Sequence, residues 1–260
     1  MSDGQIHAEV SKGVAVLTID RPQKRNAMTE QMIETLLEWY DRCDADAEIR
    51  CVILTGAGNA AFCAGHDLKA VPAGDYRHLY EEEHMQVFVG PRNIRKPVIA
   101  AVNGAAYAGG FCMALNSDLR LATPEASFAI PAARLGVVPI AGQSSRLPQV
   151  LPPAIVAEMS FLGRPLTAAR AEQFGFVNAV VSNDQLMDQA MEMAEELASL
   201  SATSIQSSKR IIQTSLYQNV PAADAMEYWL SMAAGHGPDL PEGLAAFSER
   251  RKPVFGGGRQ

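Results

Sequence analysis

Cysteine is scarce in this chain of 260 residues, and its four cysteines do not have the spacing of a metal site. Cys43, Cys51, Cys63 and Cys112 form no C-x-x-C pair, which argues against bound zinc. Most of them lie in apolar runs, as buried free cysteines do. We therefore expect reduced thiols, mostly in the core of a cytoplasmic protein that holds no metal.

Long apolar runs and an excess of basic residues are also missing. No run approaches the roughly 20 residues of a membrane span, and the N-terminus lacks the basic flank and apolar stretch of a signal peptide. With 22 Lys and Arg against 29 Asp and Glu, the formal net charge is −7. We expect neither nucleic acid nor a membrane as partner, although a local basic patch for a phosphorylated ligand fits this composition.

The most informative stretch is residues 98–122, which reads VIAAVNGAAYAGGFCMALNSDLRLA. An apolar run typical of a buried strand leads through a small-residue turn to the pair Gly109–Gly110 and a short helix. Two glycines at a helix start let another molecule approach the backbone, where the first N–H groups carry partial positive charge. This pattern predicts a place to hold a developing negative charge. The alternative is that both glycines only allow close packing of helix on strand.

The same order of strand, glycine turn and helix start occurs earlier, at Cys51–Thr55 and Phe62–Leu68. Each of the two turns is placed to present a backbone N–H to one shared pocket. Strands alternate with helices up to about residue 182, and the rest is helical, with a helix also predicted at Ser144–Leu147. This order predicts an α/β core followed by a helical appendage. We assign residues 1–200 to the core and residues 201–260 to the appendage.

An ordered set of motifs along nearly the whole chain resembles the enoyl-CoA hydratase/isomerase (crotonase) superfamily. The segments that carry the resemblance are Asp20–Pro22, Arg25–Ala27, Leu54–Gly56, Ala61–Leu68, Lys96–Gly104, Gly109–Gly110, Leu135–Gly136, Glu242–Gly243 and Arg250–Pro253. The resemblance implies a ClpP/crotonase spiral of β-β-α turns. It also implies C-terminal helices that mediate homotrimers, usually paired into homohexamers.

The same resemblance implies an acyl-CoA substrate and no separate cofactor, because coenzyme A enters as part of the thioester. The backbone N–H groups of His66 and Gly109 would be the catalytic donors of an oxyanion hole for the thioester oxygen. The residues implied to contact the substrate are Lys24, Ala27, Ala64, Asp67 and Leu68 along the CoA path, Tyr107, Cys112 and Ala132 at the acyl pocket, and Phe247 and Arg250, which would reach the CoA of a neighbouring subunit.

The sequence departs from the family pattern where hydratases of this family carry their two catalytic glutamates. Those positions hold Cys112 and Ala132 here, and a third position that carries aspartate in some members is Ile140. A neutral thiol in an apolar setting does not replace a carboxylate as general acid or base. We therefore expect ordinary two-glutamate hydration to be absent or slow.

These observations leave three functions open. The first is an enzyme of the hydratase/isomerase class that stabilises a thioester enolate without the two glutamates. The second is a decarboxylase, isomerase or thioesterase on the same scaffold that uses the His66 imidazole. The alternative for His66 is a purely structural role as a helix cap. The third is a protein that binds acyl-CoA without turning it over. Tyr107 is either a phenol donor to the acyl group or a wall of the pocket.

Overall fold

The chain repeatedly adds one strand to each of two β-sheets before a helix closes the unit. The computed structural model describes residues 4–67, 82–217, 230, 233, 237 and 239–255. The strands are β1 (Gln5–Ser11), β2 (Val14–Asp20), β3 (Cys51–Gly56), β4 (Ala61–Cys63), β5 (Val98–Val102), β6 (Ala105–Tyr107), β7 (Leu119–Ala122), β8 (Ser127–Ala129), β9 (Leu166–Thr167) and β10 (Ala179–Val180).

The larger sheet has the order β1-β2-β3-β5-β7-β10, and the smaller one has the order β4-β6-β8-β9. Among the strand pairs of the described residues, the β1–β2 hairpin and the β8–β9 pair are antiparallel and the others are parallel. Three consecutive strand pairs, β3–β4, β5–β6 and β7–β8, each place one strand in the large sheet and the next in the small sheet. This is the spiral of β-β-α turns that the family resemblance implies.

Helices follow the strand pairs and make up the C-terminal part of the chain. They are α1 (Glu30–Ala45), α2 (Glu82–Asn93), α3 (Gly109–Asn116), α4 (Ala132–Leu135), α5 (Leu147–Val150), α6 (Pro153–Leu162), α7 (Ala168–Gln173), α8 (Leu186–Ser199), α9 (Ala202–Tyr217) and α10 (Asp239–Glu249). None of the helices in the described part of the chain is long and apolar enough to cross a membrane.

Strand β5 is buried on both faces because it lies in the middle of the large sheet. Val98, Ala100 and Val102 point into the main core, which α1 and α3 also enter. Ile99 and Ala101 point to the opposite face and pack in a second cluster with the apolar stripe of α8. Side chains alternate between the faces of a strand, so a continuous apolar run is needed where both faces are covered.

Two buried asparagines fix the loop between β3 and β4 and thereby the position of the first glycine turn. The Asn103 side chain accepts from Gly56 N at 3.1 Å and donates to Ala61 O at 3.1 Å. Asn26 donates to Ala61 O at 2.7 Å from the other side. The two side-chain amides thus provide hydrogen-bond partners for the backbone polar groups of this buried loop, which would otherwise be unsatisfied.

Helix α9 is attached to the sheet by a buried ion pair. Lys209 Nζ lies 2.7 Å from Asp118 Oδ2 and also donates to Pro91 O and Lys96 O. The same Asp118 oxygen accepts from Val98 N, the first residue of β5. Burial lowers the pKa of Lys209, and the charge of Asp118 opposes that shift.

The structure confirms most of the predicted elements and corrects one. The helix predicted at Ser144–Leu147 is wrong: residues 141–146 form turns, and α5 begins at Leu147. The turns begin at Ala141 and Gly142, whose φ values are +54° and +96°, and α5 starts one residue before Pro148, which suits the first turn of a helix. All four cysteines are free and buried, as predicted.

Candidate active site

The two glycine turns lie directly against each other, although they are more than 40 residues apart in sequence. A Cβ built on Gly65 would lie 2.8 Å from Gly109 N, and Gly65 has a φ of +88°. The first turn follows β4, and the second follows β6, which is the parallel neighbour of β4 in the small sheet. Parallel pairing places the ends of both strands at the same edge, so both turns come together there.

The adjacent glycines of the second turn have different surroundings. A Cβ on Gly110 would lie 2.0 Å from Cys63 O, so glycine is needed there for close packing of α3 on β4. A Cβ on Gly109 would lie 2.3 Å from the ring of Phe88. Gly110 therefore serves the close packing of helix on strand. Gly109 instead faces Phe88, a side chain that lines a cavity.

The first turn is held by a short parallel bridge between Met28 and His66. Met28 N donates to Gly65 O at 2.8 Å, and Asp67 N donates to Met28 O at 3.0 Å. The polar groups of an extended backbone alternate in direction, so the His66 N–H points away from Met28. His66 itself lines the same cavity as Gly109.

This cavity has a volume of about 190 Å³ and is lined almost entirely by apolar groups. The first and second turns contribute Ala64, His66, Ala108 and Gly109, and α2 contributes Met85 and Phe88. The remaining wall consists of Cys112, Pro131, Ala132, Leu135, Val137, Val138, Pro139, Ile140 and Gln143. Among the lining residues that the structure describes, none is an aspartate or a glutamate.

Three side chains with polar atoms line the cavity. The His66 ring packs edge-on against Phe88, with ring centroids 4.7 Å apart. Burial raises the pKa of the Cys112 thiol well above its ordinary value, so the thiol is neutral at physiological pH. Gln143 is buried and donates from Nε2 to Ala108 O at 2.9 Å.

Three of the residues predicted along the CoA path, Lys24, Ala27 and Asp67, contact Arg21. This buried side chain contacts Asp67 Oδ2 at 2.7 Å and Ala27 O at 3.2 Å. Lys24 is exposed at the end of a short 3-10 helix, and its carbonyl accepts from Ala27 N. Asp67 thus lies within an ion pair that joins the first glycine turn to the loop after β2.

The other predicted contact residues are spread more widely. The Tyr107 hydroxyl lies 3.3 Å from Ser127 Oγ, and Tyr107 is not among the described residues of the cavity wall. Arg250 is exposed just after α10, with a φ of +54°. Leu68 and the side chain of Phe247 lie outside the part of the chain that the structure describes.

The spiral of strands and the paired glycine turns agree with comparisons to known proteins. A family model described as enoyl-CoA hydratase/isomerase matches residues 9–258. The chain belongs to the enoyl-CoA hydratase/isomerase family. It is therefore an acyl-CoA-processing enzyme of the crotonase superfamily.

Relatives of this family member are similar over almost their full length. A carnitinyl-CoA dehydratase from Escherichia coli is 39% identical over 267 residues, which cover 97% of this chain and 98% of the relative. An enoyl-CoA hydratase structure from Bacillus anthracis superposes with a TM-score of 0.92 at 31% identity, over 98% of this chain and 100% of the other. A second enoyl-CoA hydratase structure, from Geobacillus kaustophilus, has a TM-score of 0.90 at 33% identity, with 98% of each chain covered.

Several residues of this crotonase cavity were not singled out in the sequence. Met85 and Phe88 come from a helix with a mixed pattern, and the wall at residues 137–139 follows a short helix without a motif. For Gln143 the sequence favours a surface role over an inward-pointing one, and this prediction is wrong, because Gln143 is buried in the cavity wall. Each of these positions is set by tertiary packing, for which single-sequence periodicity has no signal.

Proposed function

We propose that this enzyme stabilises the enolate of an acyl-CoA thioester with the backbone N–H groups of His66 and Gly109, without a carboxylate acting on the substrate at positions 112 and 132. The observation that carries the proposal is the shared cavity, which both turns enter and whose described wall contains no acid. Preorganised donors of this kind contribute about 3–4 kcal/mol each to transition-state stabilisation.

The enolate is the intermediate that unites the chemistries open to such a site. When negative charge moves from the α-carbon to the thioester oxygen, N–H donors at a helix start and in a tight turn stabilise that oxygen. The mostly apolar wall lowers the local dielectric constant, which strengthens the electrostatic effect of each donor. This favours a reaction whose charge develops on the thioester oxygen.

The relatives named carnitinyl-CoA dehydratase remove water from their substrate, as their name says. Elimination needs a group that takes the α-proton and a group that protonates the departing hydroxyl. In the described wall of this cavity, the His66 imidazole is the one side chain suited to proton transfer near neutral pH, because Cys112 is held neutral. We therefore propose that carnitinyl-CoA and crotonyl-CoA are poor substrates here.

Decarboxylation is the second candidate, and the apolar wall favours it. A carboxylate on the α-carbon is destabilised against an apolar wall, whereas neutral CO₂ is not. The bond from the α-carbon to the carboxylate breaks, and its electron pair passes into the enolate, so no base is required. The enolate is then protonated at the α-carbon by water or by the His66 imidazolium.

A panel of four thioesters tests the proposal: crotonyl-CoA, carnitinyl-CoA, methylmalonyl-CoA and butyryl-CoA. We expect hydration of crotonyl-CoA and dehydration of carnitinyl-CoA to be slower by about 10²-fold or more than in a two-glutamate relative assayed alongside. Release of CO₂ from methylmalonyl-CoA would support the second candidate. Hydration at the rate of that relative would overturn the proposal, and binding of all four without turnover would restrict the protein to acyl-CoA binding.

The proposal extends to the C-terminal region, residues 201–260, as an oligomerisation region. Large apolar side chains are exposed on its helices, including Ile212 and Leu216 on α9 and Leu240 and Leu244 on α10. Large exposed apolar side chains on both helices favour contact with another subunit. A homotrimer or homohexamer, with Phe247 and Arg250 directed to a neighbour's CoA, is the arrangement we propose on the family resemblance.

A further inference from the structure

Gln143 contacts the peptide unit that contains the Gly109 N–H. Its side chain is only 4% exposed, and Nε2 donates to Ala108 O at 2.9 Å. The carbonyl of Ala108 and the N–H of Gly109 belong to one planar trans peptide, in which they point in opposite directions. A donor that fixes the carbonyl therefore also fixes the direction of the N–H.

The same carbonyl accepts a second hydrogen bond, from Cys112 N at 3.0 Å. This is the usual bond of a helix start, and the Gln143 bond is added to it. A carbonyl that accepts two bonds is polarised, and polarisation passes through the peptide and makes its N–H a stronger donor. The arrangement thus acts on both the direction and the strength of the Gly109 donor.

The peptide needs such support because Ala108 has an unusual backbone conformation. Its φ is +50° and its ψ is −118°, a combination that residues with a side chain rarely adopt. Strain of this kind costs about 1–3 kcal/mol and persists only where surrounding contacts hold it. A rotated Ala108–Gly109 peptide would relieve the strain and turn the N–H out of the cavity.

Gln143 is itself held firmly enough to do this. Its backbone N–H donates to Ile140 O at 3.1 Å, which closes a turn in the cavity wall. Asn116 donates to Ala141 O at 3.0 Å and to Cys112 O at 2.8 Å, so the turn is tied to α3. The distance between the Gln143 amide and the Ala108 carbonyl is therefore set by the fold.

We propose that Gln143 is a positioning residue, which orients and polarises the Ala108–Gly109 peptide so that the Gly109 N–H faces the thioester oxygen. The inference rests on the proposed function, because it assigns that N–H a role in catalysis. Gln143 acts through the peptide and needs no contact with the substrate.

Gln143→Leu removes the donor at similar volume, and Ser144→Ala is its matched control. Ser144 lies in the same turn and its hydroxyl donates to Pro139 O at 2.9 Å, so the control removes one side-chain bond of the turn without touching Ala108. The main readout is the infrared stretching frequency of the carbonyl in bound butyryl-CoA labelled with ¹³C at the thioester carbon. Thermal unfolding of each variant reports on folding.

We expect the wild type and Ser144→Ala to lower the carbonyl frequency relative to free butyryl-CoA, and Gln143→Leu to return it part of the way. For the thioester of the panel that turns over fastest, we expect kcat of Gln143→Leu to fall roughly tenfold with little change in KM, since part of one donor's contribution is lost. A lowered unfolding temperature with an unchanged frequency would show a merely structural role and overturn the inference. A wild type that leaves the frequency unchanged would overturn the proposed function instead.

The variant Gln143→Glu distinguishes the hydrogen bond of residue 143 from the space that its side chain fills, because pH changes the hydrogen bond and leaves the size of the side chain unchanged. A protonated glutamic acid donates to Ala108 O, whereas the ionised carboxylate repels that carbonyl. We therefore expect the bound-carbonyl frequency of Gln143→Glu to approach the wild-type value as pH falls and to move away as pH rises. A frequency that does not depend on pH while the side chain titrates would contradict the assignment.

Discussion

Replacing Gly109 by glycolic acid, which exchanges one backbone N–H for an ester oxygen, should lower turnover about 10²- to 10³-fold. The substitution removes the proposed donor and adds no atom to the cavity. An ordinary side chain does not allow this test, because a Cβ at position 109 would lie 2.3 Å from the Phe88 ring. The measurement is kcat on the best substrate of the panel, together with the affinity for butyryl-CoA.

The matched control is the same ester at Gly136. This glycine ends α4 at a φ of +70°, has open space around it, and its N–H donates to Ala132 O and, at 3.4 Å, to Ala133 O, so the ester there removes only bonds of a helix end. We expect turnover there to stay within about twofold of the wild type, as most surface changes have small effects. Undiminished turnover in the Gly109 ester, with acyl-CoA still bound, would show that this N–H does not stabilise the reaction.

The double substitution Cys112→Glu and Ala132→Glu should raise the rate of crotonyl-CoA hydration well above that of the wild type. Both positions line the same cavity, and each is nearly inaccessible to solvent. Two carboxyl groups in one apolar site share a proton at neutral pH, because burial and mutual repulsion raise one of their pKa values. One then acts as acid and the other as base, each with a contribution of about 10²–10⁴ in rate.

Leu135→Glu is the control for that gain. It adds a carboxylate to the wall of the same cavity, at a position that is already 57% exposed. We expect no hydration from this variant, since its carboxylate is not at either glutamate position of the hydratases. A double variant that folds and binds crotonyl-CoA but hydrates it no faster than the wild type would contradict this prediction. The loss of the two carboxylates would then not be the only difference in activity between this enzyme and the hydratases.

The parts of the fold that could be predicted are those with a local signal. The run Val98–Val102 is apolar throughout because both of its faces are covered, and the glycine pair after β6 marks a turn that no larger residue could form. The resemblance carried by the order of motifs implied the crotonase spiral, which the sheet topology and the structural neighbours confirm. The helix predicted at Ser144–Leu147 was wrong because the chain stays in turns up to residue 146 and becomes helical only from Leu147 on.

The glycine turns of the site were predictable, as were Ala64, Cys112 and Ala132 from the family resemblance, but the rest of its wall was not. Glycine turns can be found in a sequence because few residue types tolerate them. The contact between Gln143 and Ala108 spans 35 residues, and that between His66 and Phe88 spans 22, so nothing local indicates either. Such contacts depend on how α2, α3 and the turn at residues 141–146 pack together.

The most direct test of the account is a crystal structure of the enzyme with butyryl-CoA bound. We predict the thioester oxygen about 2.7–3.1 Å from both His66 N and Gly109 N, which is the range of a working oxyanion hole. We also predict that no aspartate or glutamate oxygen comes within hydrogen-bonding reach of the α- or β-carbon. A thioester oxygen bound elsewhere, or a carboxylate against either carbon, would contradict the account.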